Sequence, residues 1–352
     1  MELQRGCCID GKECYSKIHN LYIHLRRVKY VGSFSKTTSI EQPLISLIIL
    51  NHNGLTQNKE MLTQCIKDAL SVRLNKEVIL VDNGSTDNSL EYVVKTFPRC
   101  IRYITLDENL GYSRGMNEGA KHASPNSRYL FFVNNDVSFS EDVVSGMIDI
   151  LEKNPDAAIV GAGIWHRDRV FVGSTLDIRL THHTPRAKEI PYNVSAVENF
   201  IAVRTEVFKK LGGFEPNIFQ VYDEADLCLR AWLAGYRVMC DPRLVVYHRH
   251  RLPIKRGNPE RVLRFMRNKY FIMIKYYDLH YLALYIPIKF FTDIWWSIAD
   301  PSWRRRRSII MVFKSISDLI QNLPTYWERR MAASIIRTRS IKHLIQMGII
   351  AK

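Results

Sequence analysis

Between residues 44 and 151 the chain repeats one pattern four times: an apolar run of strand length, then an amphipathic stretch of helical period. Residues 44–50 are followed by 61–70, 78–81 by 90–97, 101–106 by 114–122, and 129–133 by 143–151. Short, continuously apolar strands alternating with helices are buried on both faces. The rhythm therefore predicts an α/β fold with a mostly parallel sheet covered by helices on both sides. A further strand is expected at 158–164, after which 165–195 loses the alternation and reads as hairpins and loops, with Pro185 and Pro191 as breakers. Helices at 205–211, stopped by Gly212-Gly213, and at 223–233, stopped by Gly235, precede short strands at 236–240 and 244–247. This second half reads as mixed rather than parallel.

On either side of this body, from 43 to 252, the pattern changes. Residues 1–42 show weak periodicity and end at Gln42-Pro43, an N-terminal extension with one helix expected over 16–30. Residues 253–352 read as a helical, aromatic, basic tail. The chain carries 50 Lys and Arg against 35 Asp and Glu, and 20 of those basic but only 6 of the acidic residues lie beyond residue 250. A nearly neutral body with a basic tail is not the composition of a protein whose main surface tracks nucleic acid, so no nucleic-acid partner is expected. The segment 279–299 is long enough to span a bilayer. Lys289 and Asp293 would each cost about 2.5 to 3.5 kcal/mol near a helix centre, and Pro287 interrupts it, so spanning is not expected. Lys289, Thr292, Asp293 and Ser297 share one stripe, with Phe290, Phe291, Ile294, Trp295 and Ile298 filling the rest, and Arg304 to Arg307 follow. Two readings fit: attachment to an anionic membrane surface, or packing on the core with a solvated basic face.

Seven cysteines in irregular spacing, with no CxxC pair, suggest neither a disulfide framework nor a standard zinc site; Cys7, Cys8 and Cys14 lack a second ligand group, and His166, His182 and His183 lack regular spacing. The apolar stretch 21–31 is broken by His24, Arg26, Arg27 and Lys29 and does not resemble a secretory signal. A reducing cytoplasm is the expected compartment.

In an open parallel sheet, ligands bind outside the carboxyl ends of the strands. Here four successive strands end in Asn or Asp: Asn51-His52-Asn53-Gly54, Asp82-Asn83-Gly84-Ser85-Thr86-Asp87, Asp107-Glu108-Asn109-Leu110-Gly111 and Asn134-Asn135-Asp136. Each of these is also a turn or cap sequence, but four on one edge suggest a polar site. The chain has no P-loop, and its one GxG, Gly161-Ala162-Gly163, has His166 where a dinucleotide fingerprint needs a third glycine. Without a glycine cradle, a bound diphosphate needs a cation or basic side chains. Asp136 is the first candidate to hold Mg or Mn.

These motifs, continued by Asn109-Leu110-Gly111-Tyr112-Ser113-Arg114-Gly115-Met116-Asn117 and by Asp223-Glu224-Ala225-Asp226-Leu227-Cys228-Leu229-Arg230 with Gly235-Tyr236, resemble the family 2 glycosyltransferases over residues 44–250, and more narrowly their rhamnosyltransferase-like members. The resemblance implies a GT-A fold, a nucleotide-diphospho-sugar donor, inversion at the anomeric carbon and a divalent metal. By position it implies that Asp82 contacts base or ribose beside Asn51 and Asn53, and that Asn109, Gly111, Arg114 and Asn117 shape the nucleotide side. It also implies that Asn134 and Asn135 precede the metal ligand Asp136, with His248 completing the metal shell. Many relatives carry two carboxylates where this chain has Asn134-Asn135-Asp136. The catalytic base falls at Glu224, in a chain that reads Asp-Glu where the family usually reads Glu-Asp, with Asp226 next. Asp226 can instead pair with Arg230 one turn on. A glycan or polyprenyl-linked glycan acceptor on the cytoplasmic leaflet would suit the tail. The departures in the metal and base motifs leave a second function open, that of a nucleotide-sugar-binding protein without turnover.

Overall fold

A computed structural model describes residues 29–31, 45–98, 101–166, 169–185, 189–248, 259–299 and 305–351. The repeated pattern becomes β2 (Ile45–Asn51), α1 (Gly54–Ser71), β3 (Lys76–Asn83), α2 (Ser89–Thr96), β4 (Arg102–Leu106), α3 (Gly111–Lys121), β5 (Tyr129–Asn134) and α4 (Glu141–Lys153). Strands β4, β3, β2 and β5 lie side by side and parallel in that order. Strand residues alternate between two cores: Leu47 and Ile49 face α1 and α4, and Ile48 faces α3. The chain winds outward from β2 to β4, then returns to place β5 on the other side of β2. The β2/β5 boundary is thus the switch point of the sheet, where helix connections leave in opposite directions and open a crevice at the carboxyl ends.

Beyond β5 the sheet becomes mixed. Strand β12 (Phe200–Arg204) runs antiparallel to both β5 and β7 (Ala157–His166), and β13 (Arg237–His248) runs parallel to β7. The two short strands expected at 236–240 and 244–247 are one strand, β13, with a register shift between Asp241 and Val245. Helices α5 (Thr205–Leu211) and α6 (Asp223–Leu233) occupy the expected spans, and Gly212 and Gly235, at φ 82° and 99°, adopt the left-handed conformation that ends a helix at little cost. Among the described residues of 165–195 there are short pairings: β8 (Arg169–Phe171) with β7, β9 (Thr175–Asp177) with β10 (His182–His183), and β11 (Tyr192–Asn193) with β13. The helix expected over 16–30 lies outside the described residues except at its end, where β1 (Lys29–Val31) pairs antiparallel with β4 at the sheet edge.

The tail forms α7 (Pro259–Tyr276), α8 (Leu279–Ala299), α9 (Arg305–Gln321), α10 (Leu323–Ile336), α11 (Ile341–Gln346) and β14 (Ile350–Ala351). It packs on the body that precedes it. Met266, Tyr270, Phe271 and Tyr276 of α7 share a core with Trp232 and Leu229 of α6, and β14 adds to β9 as a parallel strand. Lys275 reaches from α7 to Glu215 (2.5 Å) and Asp226 (3.1 Å), all buried. Among the described residues no helix is long and apolar enough to cross a membrane.

Candidate active site

The carboxyl ends of β2, β3 and β5 are joined by their own side chains. Asn51, buried at the switch point, donates from Nδ2 to Asp82 Oδ1 (2.8 Å) and accepts at Oδ1 from Asn135 Nδ2 (2.8 Å). Asp82 also accepts from the Ser85 hydroxyl (2.6 Å) and amide (3.2 Å). Asn53 turns the chain at φ 53°, and its Oδ1 accepts from the Thr86 amide (2.7 Å). A β-carbon on Gly54 would collide with Asn51 Oδ1, so a residue without one lets the loop close on the sheet edge. The next loop is braced in the same way: Asn109 Oδ1 accepts from Asn83 Nδ2 (3.0 Å) and from the Gly111 amide (2.9 Å).

Two residues expected on the nucleotide side are committed elsewhere. Asn117 makes a two-point pair with the Phe214 backbone, donating to its carbonyl (2.9 Å) and accepting from its amide (2.8 Å), and Arg114 Nε donates to the Pro216 carbonyl (2.9 Å). Both fasten the segment after α5 onto α3, as does the Tyr112 amide on the Phe219 carbonyl (2.6 Å). They position the wall of the crevice through the backbone of residues 214–219.

Asp136 leaves β5 into the two-residue strand β6 (Val137–Ser138), which pairs with the end of β13 in the register His248 to Val137. That register brings His248 Nε2 to 3.1 Å from Asp136 Oδ1. One carboxylate oxygen and one imidazole nitrogen form an oxygen-and-nitrogen donor pair that suits Mg or Mn. No group of three or more His, Cys, Asp or Glu that could hold a metal occurs among the described residues. A two-ligand protein site fits a cation whose remaining positions belong to phosphate oxygens and water, the usual habit of Mg.

Two residues before Asp136, at the end of β5, hydrogen bonds lead to Glu224. Asn134 donates from Nδ2 to Asn199 Oδ1 (2.8 Å) and from its amide to the Asn199 carbonyl (3.2 Å); the Asn199 amide donates to Glu224 Oε1 (3.1 Å). Asn199 holds a left-handed φ of 63°, which turns its amide toward Glu224 at the start of β12. Burial raises the Glu224 carboxyl well above the ordinary carboxylate range, and the neighbouring charge of Asp223 raises it further. Asp223 is pushed up to about 7, first by burial, with the amides of its own helix turn acting in the opposite direction. Glu198 beside it is raised as well, by desolvation and then by the charge of Glu224. Of the Asp223–Glu224 pair, Asp223 is buried and Glu224 remains partly open to solvent. Within that pair, Glu224 is therefore the carboxylate with both basicity and access.

Asp226, the second residue expected in acid/base work, has both oxygens taken. Oδ2 is paired with Arg230 Nη2 (2.6 Å) and Nε (2.9 Å), and Oδ1 accepts from Tyr276 OH (2.7 Å) and Lys275 Nζ (3.1 Å). It is a fully buried structural anion, as its spacing to Arg230 allowed. His182 and His183 join no common site: His182 Nδ1 is 3.5 Å from Glu198 and His183 Nε2 is 3.2 Å from Asp177. Sequence reading missed Glu198 and Asn199. Both stand just before β12, and their roles arise from antiparallel pairing to β5, which no local motif announces.

A parallel sheet with its crevice at the β2/β5 switch point, extended by β12 and the β7–β13 pair, is the GT-A glycosyltransferase fold. It is shared with the crystal structure of GalNAc-T7 with UDP, GalNAc and Mn2+ (TM-score 0.56, 13% identity, 80% of this chain and 58% of that one). Residues 46–212 match the model of glycosyl transferase family 2. It is 27% identical over 250 residues to the uncharacterized protein y4gI of Sinorhizobium fredii, covering 64% of this chain and 26% of that one. It is also 27% identical over 128 residues to the poly-beta-1,6-N-acetyl-D-glucosamine synthase of Staphylococcus epidermidis, covering 33% of this chain and 30% of that one. The chain thus spans less than a third of the length of these relatives.

Proposed function

We propose that the chain is an inverting, metal-assisted glycosyltransferase that moves a sugar from a nucleotide-diphosphate donor to a hydroxyl of a glycan. The observation that carries this reading is that the Asp136–His248 pair and the hydrogen bonds from Asn134 through Asn199 to Glu224 both stand at the carboxyl end of β5, on the ligand-binding edge of the sheet. Asp136 and His248 would hold a divalent cation, which when bound neutralises charge developing on the leaving diphosphate. Glu224 takes the proton of the acceptor hydroxyl as its oxygen bonds to the anomeric carbon and the bond to the diphosphate breaks on the opposite face. Asn199 holds the Glu224 carboxylate through its backbone amide, and the Asn51–Asp82–Ser85 cluster fixes the loops that frame the donor.

A lipid-linked glycan on the cytoplasmic leaflet is the acceptor this reading favours, because an aromatic, basic tail is packed onto the transfer body. Rhamnose as the transferred sugar rests on motif resemblance alone. Purified chain should release nucleoside diphosphate from one member of a nucleotide-sugar panel in the presence of Mn2+ or Mg2+. Asp136→Ala should abolish that release, and Glu224→Gln should lower kcat by roughly 10² to 10⁴. Saturable donor binding with no turnover under any metal would instead support a nucleotide-sugar-binding protein.

A further inference from the structure

Helix α8 is amphipathic in the inverted sense. Its charged stripe points inward: Lys289 Nζ is 2.5 Å from both oxygens of Asp293, Tyr270 OH of α7 donates to Asp293 (3.1 Å), and Ser297 Oγ donates to the Asp293 carbonyl (2.7 Å). Lys289, Asp293 and Ser297 are all buried. Leu284, Ile288, Phe291, Trp295 and Ile298 recur at helical spacing on the opposite side, with Phe291 and Trp295 each 66% exposed and Trp296 61% exposed beside them. Helix α9 continues the surface through exposed Ile310, Phe313 and Ile320, and Phe313 meets Phe290 at 6.1 Å between ring centres.

A water-facing helix ordinarily buries its apolar side and solvates its charges. Here the ion pair is sequestered in protein while tryptophan and phenylalanine face outward, an arrangement that water penalises and a lipid interface rewards. In sequence, four consecutive arginines, Arg304 to Arg307, follow the α8 segment, and such a run of positive charge is complementary to anionic headgroups. We propose that the α8–α9 face is a monotopic membrane-docking surface, with Phe291, Trp295 and Trp296 inserted at the headgroup level of an anionic bilayer. The helices then lie on the membrane without crossing it, in keeping with the packing of α8 against α7. This deepens the membrane-bound acceptor of the transferase reading by assigning the contact, and it stands on its own observations.

The test is co-sedimentation of the full chain, without donor or acceptor, with vesicles of phosphatidylcholine alone or mixed with phosphatidylglycerol. The wild type should pellet with the mixed vesicles, bind the neutral ones more weakly, and show tryptophan quenching by brominated acyl chains. The variant F291S/W295S/W296S should keep its far-UV circular dichroism and its nucleoside-diphosphate release while its affinity for mixed vesicles falls roughly a thousandfold or more, about three exposed aromatic side chains' worth of insertion. A wild type that stays in the supernatant with mixed vesicles overturns the proposal. So does a stable dimer that the triple substitution dissolves while vesicle binding is unchanged, since the face then belongs to a second copy. Vesicle binding without sugar transfer would leave this proposal standing and remove the transferase reading; transfer without vesicle binding would do the reverse.

Discussion

Replacing Asp226 by Asn separates a structural carboxylate from a catalytic one. In the folded chain Asp226 is fully buried and serves three partners, Arg230, Lys275 and Tyr276, the last two from α7. The amide keeps the volume and one acceptor oxygen but removes the charge. Lys275 retains Glu215 at 2.5 Å, whereas Arg230 retains the Leu211 carbonyl at 2.8 Å and loses its carboxylate. Removing one partner from a buried ion pair costs about 3 to 5 kcal/mol, and the surviving Glu215 contact places the expected loss near the lower end, about 3 kcal/mol. Against a total stability of about 5 to 15 kcal/mol this is a large fraction. Urea unfolding followed by circular dichroism should show a lower midpoint with an unchanged slope. Turnover per folded molecule, measured well below the transition, should remain within a few-fold of wild type. An unchanged midpoint together with lost turnover would refute the reasoning and return Asp226 to the acid/base site.

Two further outcomes follow from the same geometry. Asp223 has a folded-state pKa near 7, raised from an ordinary value of 3.8 by burial, so its contribution to stability is fully present below about 4 and is lost as pH rises through 7. Asp223→Asn should therefore flatten the decline in urea midpoint between pH 4 and 7 in metal-free buffer; a curve parallel to wild type would contradict the assignment. Gly111 sits at φ 81° against Phe219, where a β-carbon collides with the Phe219 carbonyl. Gly111→Ala should destabilise the chain by more than about 1 kcal/mol and weaken donor binding by shifting the 214–219 wall, as read by urea unfolding and donor titration; equal midpoints would show that the wall is not held there.

What the sequence made legible follows from the range of the forces involved. Helices α5 and α6 were readable to the residue because Gly212 and Gly235 stop them by local backbone geometry, and the strand ends were readable because burial on both faces forces continuous apolar runs. The joint placement of Asp136 and His248 was anticipated only through resemblance, since it depends on the β6–β13 register across more than a hundred residues. The fastening of Arg114 and Asn117 onto the 214–219 segment was not legible for a related reason: their partners are backbone groups of Pro216 and Phe214, which carry no side-chain signature.

The tail is the case where the pattern was legible and its direction was not. A helical period in α8 separates Lys289, Asp293 and Ser297 from Phe291, Trp295 and Ile298, but periodicity is the same whichever side faces inward. Direction is set by what the neighbouring helix offers. Tyr270 of α7 presents a buried hydroxyl to Asp293, and the ring of Tyr270 lies 5.3 Å from Lys289 Nζ, so the ion pair finds hydrogen bonding and cation–π contact on the protein side. Because the Lys289–Asp293 pair is internal to α8, its two charges cancel and leave little net field to solvate, and burial costs far less than for either charge alone. Replacing both by Leu should then leave the unfolding free energy from urea titration nearly unchanged or raise it, whereas Asp293→Leu alone strands the lysine and should lower that free energy by about 3 to 5 kcal/mol. Equal losses in the single and double variants would mean that the stripe is solvated in solution and that the aromatic side is the one turned inward.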